Sequence, residues 1–261
     1  MNFTDVPTTQ KPAAMTDEEW ALRVDLAACY RLFDKLGWSE CIFNHITVRT
    51  PSLDPDEPSH YLINPYGLHY SEVTASNLVK IDSLGNRKDD STYPVNPAGF
   101  TIHSAVHQAR HDAHCVMHTH TDAGVAVATK DEGLRFDNFY AAFFYDELAY
   151  HEFEGVTVDD DESPRLVASL GAKNFLILRN HGLLVCGSSI ANAFGDMWFL
   201  QRACEMQLAS HSMGGKNREI DLAVLKRNRA NLDAMAVGSN LGSMMFEGML
   251  RHSGIRRVDV Q

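Results

Sequence analysis

Cys115-Val116-Met117-His118-Thr119-His120 is an apolar run that ends in a His-x-His pair, and Phe175-Leu176-Ile177-Leu178 is a second one, followed by Arg179-Asn180-His181-Gly182. Both runs are too short for helices and suit buried strands. Residues i and i+2 of a strand point to the same face, so His118 and His120 converge. Asn180 and Gly182 mark a turn that can present His181 at the sheet edge. Zinc, manganese, iron or cobalt accepts imidazole nitrogens at short range, and three histidines leave the exchangeable position that a catalytic metal needs. The pair alone also fits two hydrogen-bonded histidines with no metal, so His181 is needed as the third ligand.

Outward from these runs, helix and strand alternate. Thr16-Asp17-Glu18-Glu19 reads as an N-cap with an acidic first turn, and Trp20, Val24, Ala27, Ala28 and Leu32 recur at helical spacing until Gly37. Between residues 41 and 81, short runs such as Ile42-Phe43-Asn44-His45-Ile46-Thr47-Val48-Arg49 and Tyr61-Leu62-Ile63-Asn64, separated by turn-formers at 51–58 and 64–67, predict strands of one sheet. Residues 99–112 return to helical period. A long helix is predicted over 189–212, and helical signals follow near 219–233 and 241–252. Residues 1–15, polar and carrying Pro7 and Pro12, are expected to be a flexible arm. Residues 16–214 form one domain, and 215–261 a helical tail belonging to it or to a subunit interface.

Composition narrows the function. The chain has 261 residues, 44% hydrophobic and 22% charged, which suits a globular protein with a real core. Its 23 basic and 34 acidic residues give a net charge of −11, which repels nucleic acid and anionic membrane surfaces. No apolar run reaches the length of a spanning helix, and the first 20 residues lack the pattern of a signal peptide, so a cytoplasmic protein is expected. Five widely spaced cysteines read as reduced core thiols.

The His-x-His strand followed some sixty residues later by Asn-His-Gly resembles the class II aldolase and adducin family. The likeness runs from about Trp20 to Gly214 and includes Gly37-Trp38, Phe43-Asn44-His45-Ile46-Thr47, the run from Leu62 through Asn64-Pro65-Tyr66-Gly67 to Thr74, and Ala98-Gly99-Phe100-Thr101-Ile102-His103. The wording is more like adducin head domains and their bacterial relatives than sugar-phosphate aldolases. The resemblance implies a single α/β domain with a central, mainly antiparallel sheet flanked by helices on both faces. It also implies a homo-oligomer, most often a tetramer, for which the apolar segment 241–250 is suitable material.

By the same resemblance His118, His120 and His181 take the metal-ligand positions, with zinc the first expectation and manganese, iron or cobalt alternatives. The aldolases use a glutamate four residues before the histidine matching His103, and that position is Gly99 here. Glycine can neither bind metal nor move a proton, so another base is required. Tyr145, Glu147 and His151, in the acidic and aromatic stretch 139–152, are candidates, although such a stretch is more often packing or interface. His45, Tyr66, Gly67, Gly99 and His103 form the expected substrate-binding set. Where aldolases cradle phosphate with small residues, this chain has Cys41-Ile42-Phe43-Asn44-His45 and Pro97-Ala98, so a sugar phosphate is not expected as the substrate. The spacing of His103, His107, His111 and His114 reads as solvent-facing or hydrogen-bonded histidines rather than a second metal ladder. Glu72 reads as a cap, and Asp159-Asp160-Asp161-Glu162 as a solvated helix start without chemistry.

These readings predict a divalent-metal-dependent lyase that cleaves a carbon–carbon bond through a metal-stabilised enolate, on a small non-phosphorylated hydroxy or keto compound. One alternative is an adducin-like scaffold without chemistry. The other is a non-haem iron oxygenase acting on an aryl-pyruvate-like acid.

Overall fold

Thr16 accepts a hydrogen bond from the Glu19 N–H at 3.1 Å and so starts helix α1 (Asp17–Lys35), whose first turn is acidic and whose last carries Lys35. The computed structural model describes residues 11–13, 15–51, 58–155 and 160–261. Most of the arm expected over 1–15 lies outside them, as do part of the turn-rich stretch 51–58 and Asp159. After α1 come β1 (His45–Arg49), β2 (Tyr61–Ile63), β3 (Val79–Ile81), α2 (Pro97–Ala109), β4 (Cys115–Thr119), α3 (Asp122–Ala128) and β5 (Leu148–His151). The chain continues through α4 (Ser163–Leu170), β6 (Phe175–Leu178), β7 (Gly182–Gly187), α5 (Ile190–Ser212), α6 (Leu222–Ala236) and α7 (Leu241–His252).

The seven strands form one sheet in the order β3-β2-β1-β4-β7-β6-β5. Every neighbouring pair is antiparallel except β5 beside β6, which is parallel. This is the mainly antiparallel α/β sheet that the family resemblance implies. Strand alternation divides its core in two. Cys115, Met117, Ile177, Leu183 and Val185 pack with residues of α1, α3, α5 and α7. Val116, Leu176, Leu178, Leu184 and Cys186 pack on the opposite face with Ile102 and Val106 of α2 and Leu166 and Leu170 of α4. Helices therefore cover both faces. Four cysteines are buried free thiols, and Cys41 is exposed.

One hydroxyl fixes where β1 begins. Tyr30, fully buried on α1, places its hydroxyl 2.7 Å from the Ile46 N–H, 2.5 Å from the Ile46 carbonyl and 3.0 Å from Oδ1 of Asn64. It thereby ties α1 to the start of β1 and to the exit of β2, the two segments beside His45. Glu72 closes a capping box with His69 around a short 3-10 helix, as its position suggested. In the tail, Phe246 of α7 packs against Phe194 of α5 with ring centroids 5.5 Å apart, whereas α6 buries only Leu225 and is anchored by Asn228 and Arg229 to the carbonyls of Ala142 and Phe143. Among the described residues, no helix is long and apolar enough to cross a membrane.

Replacing Tyr30 by phenylalanine should lower stability by about 1–3 kcal/mol, because it strands buried polar groups at Ile46 and Asn64. A shift in the urea midpoint without a change in slope is the expected result.

Candidate metal centre

β4 ends at Thr119, and Thr121 caps α3 by accepting from the Gly124 N–H at 3.2 Å while donating to Gln201 Oε1 at 2.6 Å. His120 is held between these two anchored points. His181 sits on the tight connection between β6 and β7, where Asn180 adopts a left-handed φ of +55°. Gly182 is required by its neighbour, since a Cβ there would lie 2.2 Å from the Thr119 carbonyl oxygen. Asn-His-Gly is thus one residue for the turn, one for the site and one for the close approach of β7 to β4.

The three imidazoles meet. Ring centroids are 4.5 Å apart for His118 and His120, 4.8 Å for His118 and His181, and 4.7 Å for His120 and His181. One ligand nitrogen from each lies within 4.8 Å of the others. A carbonyl cannot donate, so Nδ1–H of His118 donates to the Leu183 carbonyl at 2.8 Å, which leaves its Nε2 as a lone pair. That Nε2 stands 2.7 Å from Nε2 of His120, and two lone pairs so close require a proton or a cation between them. Two nitrogens on one tetrahedral zinc would be about 3.3 Å apart, so a small opening of the rings admits an ion.

Burial keeps these rings neutral, as metal ligation needs. His118 is pushed well below the ordinary histidine value by burial, reinforced by His120, His181 and His45. His181 is lowered to about 4 by burial and then by His120, with the Glu162 carboxylate opposing. Burial also lowers His120.

A histidine floor lies beside the triad. His45 faces His118 across the β1–β4 register, and its ring lies 6.0 Å from that of His118 and 4.0 Å from that of His103. His107 donates through Nδ1 to the Ala113 carbonyl at 2.9 Å, so its Nε2 accepts from Thr47 at 2.8 Å. The Thr47 oxygen then accepts from Nδ1 of His103 at 2.7 Å, which turns Nε2 of His103 into a buried acceptor. It has no hydrogen-bond partner among the described residues, and neither has Oδ1 of Asn44, whose Nδ2 reaches the His118 carbonyl at 3.4 Å. His111 and His114 lie beyond the end of α2 and are exposed, so the spacing of four, four and three builds no ladder.

The other predicted residues divide by position. β2 runs toward the end of the sheet where His45 stands, so Tyr66 and Gly67 follow at that end, with Tyr66 bonded through its N–H to the Pro94 carbonyl. Gly99 lies in the first turn of α2, and its surroundings fall outside the described residues. The β5–β6 register pairs His151 with Leu178, near the triad, and Leu148 with Phe175, at the far end. Tyr145 and Glu147 precede Leu148 and are therefore not brought to the triad, and the Tyr145 ring packs on Phe136. His151 is buried and bonds to Ser169 Oγ at 3.0 Å and Glu162 Oε1 at 3.2 Å. Glu162 itself is only 9% exposed, unlike the solvated acid expected from its run.

Next to His120 opens a cavity of about 380 Å³, lined also by Trp38, Glu40, Asp122, Gln201 and Glu205, with no lysine or arginine among its described lining residues.

The buried histidines make the fold acid-sensitive. An unfolded histidine titrates near 6.5, whereas burial holds His181 at about 4 and His107 at about 3. Below pH 6.5 the unfolded chain binds protons that the native chain does not. Stability from these groups is therefore complete above that pH and lost as it falls toward 4 and 3. The metal-free protein should lose stability from pH 7 to pH 5, by up to about 1.4 kcal/mol per pH unit for each such histidine, which a falling urea midpoint would report. A flat midpoint would mean that the rings are solvated.

Known proteins agree with this architecture. Residues 24–208 match the Class II Aldolase and Adducin N-terminal domain. A protein of Pseudomonas aeruginosa that carries the provisional name of an aldolase class 2 protein is 51% identical over 204 residues, covering 78% of this chain and 77% of its own. Alpha-adducin of Rattus norvegicus is 46% identical over 200 residues, 76% of this chain and 26% of the adducin. Among solved structures, an aldolase II superfamily protein from Pseudomonas syringae superposes with a TM-score of 0.84 at 38% identity, covering 92% of this chain and 94% of that one. An L-fuculose 1-phosphate aldolase from Glaciozyma antarctica gives 0.77 at 29% identity, covering 94% and 96%. The chain belongs to the class II aldolase and adducin family.

Proposed function

We propose that this protein is a divalent-metal-dependent carbon–carbon lyase acting on a small, non-phosphorylated hydroxy or keto compound, with zinc as the ion. The observation that carries the proposal is the convergence of three neutral imidazoles, one of them locked by the Leu183 carbonyl with its lone pair facing the others. When bound, a divalent ion supplies a Lewis acid for the negative charge that builds on a carbonyl oxygen as the bond breaks. The chain's own part is to hold that ion through His118, His120 and His181 and to keep the rings deprotonated by burial. Asn44 and His45 line the floor on which the substrate would be oriented.

Two features argue against a phosphate group. The Phe43 N–H, in the segment where the resemblance places the phosphate loop, already donates to the Glu40 carbonyl at 2.8 Å, and the Phe43 side chain is half exposed there. Of the acids in the cavity beside His120, Glu205 is paired with Arg202, while Glu40 and Asp122 would repel a phosphate dianion. An oligomer, a tetramer by the family reading, in the cytoplasm and without nucleic-acid or membrane partners, completes the proposal, and the exposed Leu222, Met235 and Val237 are material for its interfaces. The 46% identity to alpha-adducin favours a second reading, a scaffold that keeps the fold without turnover.

Elemental analysis of protein purified without chelator or nickel resin separates the two. Close to one metal ion per chain, lost in the His118→Ala, His120→Ala variant, is the expected result. No metal, even after incubation with zinc, manganese, iron or cobalt, would leave the scaffold reading.

A further inference from the structure

A backbone carbonyl decides what the deepest imidazole of the histidine floor can bind. The Ala113 carbonyl only accepts, so His107 donates to it through Nδ1 at 2.9 Å and keeps a lone pair on Nε2. Thr47 has one hydroxyl hydrogen, which it gives to that lone pair at 2.8 Å, and its oxygen then accepts from Nδ1–H of His103 at 2.7 Å. Reversing any one of these bonds breaks another. His103 is left with a lone pair on Nε2, fully buried and without a hydrogen-bond partner among the described residues. A buried acceptor that lacks a donor costs stability, so its position has to be explained.

The position is beside the metal centre. The His45 ring lies 4.0 Å from that of His103 and 6.0 Å from that of His118, which makes the three rings consecutive neighbours. A second acceptor stands at the same end of β1. Oδ1 of Asn44, a residue 5% exposed, has no partner among the described residues, while Nδ2 of the same side chain reaches the His118 carbonyl at 3.4 Å. Both atoms can only receive a hydrogen bond.

We infer that Nε2 of His103 is the acceptor for a substrate hydroxyl, so that the site takes a hydroxy compound in preference to the keto compound of the same skeleton. The inference rests on the metal-binding reading above and narrows its substrate class. A hydroxyl donates to this nitrogen, whereas a ketone oxygen sets a lone pair against a lone pair. His103 is a substrate-binding residue in this account, and no proton is transferred to it. Thr47, His107 and the Ala113 carbonyl hold it in the accepting tautomer. An ordered water bound to Nε2 is the competing explanation.

Lactate and pyruvate differ only in the group at issue, and calorimetric titration of each into the zinc-loaded, full-length protein at pH 7.5 tests the inference. One enantiomer of lactate should bind about tenfold or more tightly than pyruvate. His103→Asn places an amide N–H where Nδ1 donates to Thr47 and removes the acceptor at Nε2. It should abolish the preference and leave zinc affinity and the metal-free urea midpoint in place. Equal binding of the two acids by the wild type, no binding of lactate, or a preference that survives in His103→Asn would overturn the inference. If His103→Asn lowers the midpoint, His103→Gln decides, because its amide oxygen reaches the place of Nε2 and the donor to Thr47 is lost. A preference kept in the glutamine variant supports the acceptor role, and a preference lost in both overturns it. Absence of zinc binding in the wild type would be a different failure, overturning the metal-binding reading and this inference with it.

Discussion

A single buried hydrogen bond, from Nδ1 of His118 to the Leu183 carbonyl, joins the fold to the chemistry. It settles which nitrogen of His118 carries a proton, and so which one faces His120 and His181. The bond exists because β4 and β7 pair in a register that sets Thr119 opposite Leu183, and because Gly182 lets the two backbones approach where any side chain would collide with the Thr119 carbonyl. Desolvation of the same strand ends then keeps the rings neutral. Strand register, one glycine and burial together produce a donor set that none of the three histidines would offer in water.

Much of this was legible in the sequence. Periodicity found α1, α2, α5, α7 and the strands β1, β2, β4 and β6, since each is a clean amphipathic or apolar run with recognisable ends. The turn chemistry of Asn180 and Gly182 pointed to the placement of His181. What escaped was tertiary in origin. β5 lies inside a stretch so aromatic that it reads as lid or interface, and its strand character comes from pairing with β6. β7 is a continuous apolar run bounded by glycines, without alternation, because both of its faces are covered. Glu162 ends an acidic run that looks solvated, and only the fold turns it inward toward His151. Tyr145 and Glu147 lay close to His151 in sequence, yet a four-residue strand separates them from the triad by its whole length.

The family contains aldolases and adducins on one scaffold, and the fold by itself does not choose between their roles. The choice falls to the site. Here the nitrogen donors stand together and are deprotonated by burial. Around them the Phe43 N–H is engaged by the Glu40 carbonyl, and the neighbouring cavity carries carboxylates. In the histidine floor, His103 and His107 are locked by Thr47 and the Ala113 carbonyl, which fixes their tautomers beside His45. This combination is what the proposed metal-assisted chemistry draws on.

The central claim is that His118, His120 and His181 hold a divalent ion. Anomalous diffraction at the zinc edge from crystals of the metal-loaded protein tests it most directly. The account predicts one peak within about 2.0–2.1 Å of a ring nitrogen of each histidine, with His118 binding through Nε2. A zinc-loaded crystal with no peak at the triad, or with His118 turned so that Nε2 meets the Leu183 carbonyl, would contradict it.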